Sequence, residues 1–364
     1  MPAIPFVDLP AQYAPIQEDI ERDVLDILRG CFFVGGKYLE RFEEALADFV
    51  GVKHCVGTSS GTSALSVALQ ALGVGSGDRV IVPVNSFIAS AFAVNHTGAR
   101  PAFVDVLPDT YLINPRKVEL YLRQNRISAV MPVHLYGQMA DMKALKRICQ
   151  NSGAYLIEDA AQAIGATQGG EHVGVFGDAA CTSFWPSKNL GTIGQGGAIL
   201  TNNTELAAKA RSIVNQGSVS KYDHKYLGGN YRLDTIAAAQ LFHALKCLPF
   251  WDEARRAIAQ RYDAAFGQEC SPRIGEGNLH SYHLYEYRCR SPRDRDLLEK
   301  RLKAAGIAYG FHYPHLISES PVYGNSGGVF WPTAQVLTKR LISLPIFPTM
   351  SDEQVCEVIE AVLS

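Results

Sequence analysis

The stretch CTSFWPSKNLGTIGQGGAIL, Cys181 to Leu200, sets one lysine, Lys188, between an apolar run and a cluster of glycines. A lysine amine forms Schiff bases with carbonyl compounds when burial lowers its pKa and leaves part of it uncharged. Trp185 and Pro186 are expected to supply a dry wall beside that amine. A second candidate is Asp159 in LIEDAAQAIGA, where an apolar run ends. In open α/β sheets ligands bind at the carboxyl ends of strands, and Gln162, three residues on, would face the same ligand. Asp159 has a plainer alternative use as the cap of a following helix. The third candidate is SSGTSAL, where small residues precede a helix and leave free backbone N–H groups for an anion. Gly61 and Thr62 would hold a phosphate there, with Ser183 pointing at it from a strand end, although such turns also serve ordinary capping.

A phosphate cradle, a carboxylate at a strand end and a lysine beyond a later strand are the parts that a pyridoxal phosphate enzyme needs. The carboxylate keeps the pyridine nitrogen protonated, because an adjacent opposite charge favours the charged form. The protonated ring then acts as electron sink for chemistry at an amino-bearing carbon. Phe87, in VPVNSFIAS, would stack on the cofactor's face, or else serve as a core residue.

These side chains need elements to position them. Ile16, Ile20, Val24, Ile27 and Leu28 recur at helical spacing up to Gly30, and Ala64, Leu65, Ala68, Leu69 and Leu72 mark a second helix. RVIVPV (79–84), AVMPVHLYG (129–137), AYLIED (154–159), AACTSFW (179–185) and GGAILT (196–201) read as strands. Their continuous apolar character predicts a mostly parallel sheet covered by helices on both faces. After about residue 245 the texture changes. FWDEARRAIAQRYDAAF reads as a long helix, HSYHLYEYRCR as an antiparallel strand and RDLLEKRLKAAGI as an amphipathic helix. A last helix opens with Ser351 at the N-cap and Gln354 three residues on. The expectation is a large domain over 1–245 and a small α+β domain over 246–364, with the N-terminal segment packing on the small one.

The bulk numbers agree with an enzyme of this kind. The chain has 364 residues, 47% hydrophobic and 19% charged, enough to bury a large core. Its formal net charge of -2, without blocks of like charge, gives no footprint for nucleic acid or an anionic membrane. No apolar run approaches the ~20 residues of a membrane span. MPAIPFVDLPAQYAPI has no signal-peptide pattern, and the eight cysteines contain no CxxC pair, so no metal site is expected and a cytoplasmic location is. A dinucleotide-dependent oxidoreductase would need GxGxxG between an early strand and a helix, whereas GVGSGD follows a helix and precedes a strand.

The chain resembles, over essentially its whole length, the DegT/DnrJ/EryC1/StrS family of nucleotide-sugar aminotransferases. The resemblance is carried by SSGTSALSVALQALGVGSGDRVIVPVNSFIA, PAFVDVLPDTYLINP, VHLYGQMADM, IEDAAQAIGA, SFWPSKNLG, GGNYRLD, FHYP and LISLPIFPTMSDEQV. It implies the type I aminotransferase fold: an α/β large domain with a mixed, mostly parallel seven-stranded sheet, and a smaller C-terminal α+β domain. It implies pyridoxal 5'-phosphate, cycling with its pyridoxamine form, and a homodimer with shared active sites. It further implies Lys188 as the Schiff-base lysine, Asp159 on the ring nitrogen and Gln162 near the ring hydroxyl. Gly61, Thr62 and Ser183 match phosphate contacts, Phe87 the stacking position, and Asn230 a residue reaching the phosphate from the neighbouring subunit. Arg232, His312 and Tyr313 match positions that face the sugar.

The implied reaction takes an amino group from L-glutamate to a keto sugar of a nucleotide-diphospho sugar, for surface polysaccharide or secondary-metabolite amino sugars. RLD after Asn230 leans toward a 3-keto (6-deoxy)hexose, while the tyrosine of NYR also occurs in relatives that aminate C-4, which remains the alternative. A non-catalytic regulatory protein of the same fold is the distant alternative; it predicts loss of Lys188 or Asp159, and both are present. Gln195 departs from the acidic residue of many relatives and Ser63 from their aspartate, and neither is an expected catalytic position.

Overall fold

The computed structural model describes residues 3–328 and 330–364. Seven strands form the central sheet: β1 (His54–Thr58), β2 (Arg79–Pro83), β3 (Arg100–Val104), β4 (Ala129–Val130), β5 (Tyr155–Asp159), β6 (Ala179–Ser183) and β7 (Gly197–Thr201). Their order is β1-β7-β6-β5-β4-β2-β3. β7 runs antiparallel to both β1 and β6, and the remaining pairs are parallel. Because side chains alternate across a strand, successive residues feed two cores. Ile81, Val130, Leu156, Ala180 and Leu200 pack into one, and Val80, Val82, Ala129, Ile157, Cys181 and Ile199 into the other. This two-sided burial is why the strands read as continuous apolar runs.

The helices that serve the sheet start and stop on local chemistry. α1 (Gln17–Gly30) ends at Cys31, whose φ of 55° places it in the left-handed region, so the stop lies one residue beyond the expected Gly30. α2 (Lys37–Val50) follows, and α3 (Gly61–Ala71) is opened by Ser60, which exchanges reciprocal hydrogen bonds with Ser63. The hydroxyl of Ser63 therefore supports the first turn of α3. α4 (Ala89–His96) follows β2 on the carboxyl side of the sheet, and α5 (Thr204–Val214) follows β7.

AVMPVHLYG is only partly a strand. Ala129 and Val130 pair, Val133 forms a single bridge to Asp159, and Leu135–Gly137 make a short 3-10 turn. Pro132 has no N–H to offer a ladder, and His134 turns inward to Glu158 at 2.9 Å. β1 and β3 are not among the strands expected from apolar runs; both are five residues long and β3 is only half buried.

A single 32-residue helix, α6 (Thr235–Phe266), crosses from one core to another. Its first half packs Ala237, Leu241, Ala244 and Leu248 under the sheet. Its second half gives Ile258, Ala259, Tyr262 and Phe266 to a third core. That core also takes β8 (Tyr285–Arg288), α7 (Pro292–Ala304), β9 (Leu341–Leu344) and α8 (Asp352–Leu363), with β8 and β9 antiparallel. Ile4, near the N-terminus, is buried in it through a parallel bridge to Ile307. α8 begins at Ser351 with the capping box expected from Ser351 and Gln354.

Candidate active site

Because β2, β5 and β6 are parallel, their carboxyl ends open on the same side, and a cavity of about 490 Å3 lies there. Asp159 closes β5, Ser183 closes β6, and the N-terminus of α3 approaches from the side. The approach depends on glycine. A Cβ on Gly61 would lie 2.7 Å from Ser183 Cβ, and one on Gly197 would lie 2.4 Å from the Ser60 carbonyl carbon. The free N–H groups of the first turn of α3 thus stand against the Ser183 hydroxyl.

Lys188 sits on the turn after β6, its backbone N–H donating to the Trp185 carbonyl at 2.8 Å. Burial pulls its amine down to about 8, with Asp159 opposing. Nζ lies 3.3 Å from His283 Nε2. His283 is held neutral, pushed far below the usual histidine range by burial and then by the Lys188 charge, so Nε2 is the acceptor in this contact. The next residue anchors the turn: the Asn189 amide donates to Asp252 Oδ1 at 2.8 Å and to the Ser281 carbonyl at 2.7 Å.

Asp159 is 4% exposed. Its Oδ2 accepts from Ser90 Oγ at 2.7 Å and its Oδ1 from the Ala161 N–H at 3.2 Å. No helix follows Asp159, since 160–166 form turns, so the capping alternative fails and the Ala161 contact is a local turn that takes one oxygen only. Burial raises its pKa, while Ser90, the Ala161 N–H and Lys188 pull it back down. Gln162 accepts from the Tyr136 N–H at 2.6 Å and donates to Tyr313 Oη at 2.9 Å, so both ends of its amide are oriented. Phe87 is 55% exposed at the mouth and lies tilted against Tyr313, ring centres 5.6 Å apart. An aromatic so exposed is not a core residue.

Of the residues singled out by sequence, Gly61, Thr62, Phe87, Asp159, Gln162, Ser183, Lys188, His312 and Tyr313 all line this cavity. Asn230 and Arg232 do not. Asn230 bridges Asn215, and Arg232 hydrogen-bonds the Asn215 side chain, both away from the pocket of the same chain. Trp185 does line the cavity but is 49% exposed, so it is no dry wall; Pro186 faces a separate groove. The groups that close around Lys188 include His283 and Tyr313 instead.

Among the polar residues lining the cavity, Ser60, Ser86, Ser90, Ser187 and His283 are not among the candidates read from the sequence. Ser86 and Ser90 share a helical i, i+4 spacing, and their hydroxyls meet at 2.8 Å. That spacing was the available signal. His283 had none, since it comes from the third core's chain segment and only the tertiary fold brings it to Lys188. Gln195 also lines the cavity, so this unusual residue faces the ligand space.

The fold and the site define the class: this is the type I α/β fold of pyridoxal phosphate-dependent aminotransferases. The structure of DesV from S. venezuelae, in complex with a ketimine intermediate, superimposes with a TM-score of 0.94 at 37% identity, covering 100% of this chain and 98% of that one. The chain belongs to the DegT/DnrJ/EryC1/StrS aminotransferase family, whose model matches residues 14–363. It is 39% identical to a UDP-N-acetyl-3-dehydro-alpha-D-glucosamine 3-aminotransferase of Acidithiobacillus ferrooxidans, over 98% of this chain and 96% of that protein. It is also 41% identical to a protein of Geobacillus stearothermophilus named as a pleiotropic regulatory protein, over 99% of this chain and 97% of that one. Among the described residues no helix is long and apolar enough to cross a membrane, and no cluster of metal-ligating side chains occurs.

Proposed function

We propose that the protein transfers an amino group from L-glutamate to the keto group of a hexose carried on a nucleoside diphosphate, with pyridoxal phosphate as cofactor, and that it aminates C-3. The observation that carries this reading is Lys188, a half-buried amine held near 8, in the same cavity as a buried carboxylate with a dedicated donor.

The cavity suits the cofactor on its own terms. The glycine-permitted contact of α3 with Ser183 forms an anion cradle at one end, and Asp159 offers a carboxylate at the other. The first turn of α3, through Gly61 and Thr62, would hold the phosphate with Ser183. Asp159 would hold the ring nitrogen, Gln162 the ring hydroxyl and Phe87 the ring face. When bound, the cofactor supplies an aldehyde for amines and a protonated ring that accepts the electron pair released at an amino-bearing carbon. Lys188 Nζ takes and returns a proton as general base and then general acid, a role that a pKa near the working pH favours. His283 Nε2 orients that amine, and the hydroxyl of Ser90, donating to Asp159, favours its charged form against the effect of burial.

The substrate class is supported by the activity for which the A. ferrooxidans relative is named, and the C-3 position by that name and by RLD at 232–234. The relative named as regulatory raises the non-catalytic reading again; the intact pair of Lys188 and Asp159 favours catalysis. We further propose a homodimer that works in the cytoplasm, with Asn230 and Arg232 completing the partner's site and the exposed Phe32, Phe33, Val34 and Ile193 covered by it. The purified protein should be yellow, and borohydride should fix the cofactor to Lys188. Turnover with glutamate across 3-keto and 4-keto nucleotide sugars should favour the 3-keto members. A wild-type protein that never takes up pyridoxal phosphate defeats the reading, and a 4-keto preference overturns the regiochemistry.

A further inference from the structure

His312 enters the cavity from the third core's side, and its ring is held from behind. Nδ1 lies 2.7 Å from Ser343 Oγ on β9. The Ser343 hydroxyl donates to Oε1 of Glu286 on β8, directly across the ladder, where the two residues are register partners. Tyr136 Oη donates to the His312 carbonyl at 2.6 Å, and Phe6 stacks on the ring at 5.8 Å. Neither Glu286 nor Ser343 lines the cavity, and both are buried. Burying a carboxyl in a strand is costly, and one oxygen of Glu286 has no partner among the described residues while the other is taken by Ser343.

The direction of the chain of hydrogen bonds decides the histidine tautomer. A hydroxyl has one hydrogen, and Ser343 gives it to Glu286. It can then meet Nδ1 only as an acceptor, so Nδ1 carries the hydrogen. Burial, helped by the Lys188 charge, pushes His312 down to about 4, so the ring stays neutral and Nε2 is left as a bare lone pair. Burial lifts Glu286 to about 8, and the Ser343 hydroxyl, donating to Oε1, pulls it back toward the ionised form. Tyr111, Tyr136 and Tyr313 share the surroundings of this carboxyl. Nε2 has no protein partner among the described residues.

We propose that Glu286 and Ser343 are positioning residues that lock His312 as its Nδ1–H tautomer, so that Nε2 meets the acceptor substrate as a hydrogen-bond acceptor for one of its hydroxyl groups. The substrate half of this proposal rests on the sugar-aminotransferase reading; the tautomer half stands without it.

Histidine-labelled protein, with 15N NMR and a His312→Gln variant to identify the ring signals, tests the lock without turnover. Wild type and the isosteric Glu286→Gln, which keeps an acceptor for Ser343, should show hydrogen on Nδ1. Ser343→Thr should retain it. Ser343→Ala and Glu286→Leu should shift His312 toward a mixture of tautomers. Kinetically, Ser343→Ala should raise KM for the nucleotide sugar about tenfold, the scale of one hydrogen bond, with a smaller change in kcat. A wild-type ring protonated at Nε2, or a Ser343→Ala ring unchanged from wild type, overturns the lock. A shifted tautomer with an unchanged KM for a nucleotide sugar that is turned over refutes the substrate contact. If no nucleotide sugar is turned over, the sugar reading fails while the NMR result still decides the lock.

Discussion

Ser90 is the sharpest place to perturb the site, because it acts on the carboxylate and touches little else. Asp159 has two protein hydrogen bonds, and that from Ser90, at 2.7 Å, is the shorter. Ser90→Ala removes it and leaves Ser86 Oγ without its 2.8 Å partner. A hydrogen bond to a charged group contributes about 1.5–3 kcal/mol, which corresponds to roughly a 10- to 100-fold change in the ionisation constant. The sign follows from the causes. Burial already raises the Asp159 pKa and Ser90 lowers it, so the variant's carboxyl is raised further and holds its proton to higher pH. The ionised form is the one that keeps a pyridine nitrogen protonated. The acid limb of cofactor binding, followed by absorbance, should therefore move up by about one to two pH units, with weaker binding below it and near-normal binding at high pH. Ser90→Thr, which keeps the hydroxyl, should restore most of the shift. An acid limb that stays in place in Ser90→Ala would refute the assignment of Ser90 as a group that favours the charged form of Asp159.

Gly61→Ala should overpack the junction of α3 with Ser183, whose Cβ would be met at 2.7 Å. The expected cost is about 1–3 kcal/mol in a thermal melt, together with loss of cofactor affinity, and Ser183→Gly in the same chain should recover part of the stability. Shared active sites are tested by mixing: Lys188→Ala and an Asn230 variant, each inactive alone, should regain about a quarter of wild-type turnover after subunit exchange, since half of the dimers then carry one intact site. No recovery in a mixture that demonstrably exchanges subunits would place Asn230 outside the partner's site.

Much of this site is local chemistry and is therefore legible along the chain. Strands buried on both faces must be apolar throughout, so β2, β5, β6 and β7 are visible as runs, and a polar residue at the end of such a run, Asp159 or Ser183, stands out. The Ser60–Gly61–Thr62 turn is visible because a helix start needs capping groups within a few residues of one another. AVMPVHLYG misled because apolar composition outlasts the hydrogen-bond ladder that Pro132 interrupts. Contacts between distant segments leave no such mark. Nothing in HSYHLYEYRCR sends His283 to Lys188, or Glu286 through Ser343 to His312; β8, β9 and the long helix α6 do that. The same holds for Ser90, whose partner Asp159 lies beyond two intervening strands in sequence. Residue types and short spacings determine which groups are able to do chemistry. Which of them are buried together, and hence which pKa values move and which histidine nitrogen faces the substrate, depends on desolvation by neighbours that only the packed fold assembles.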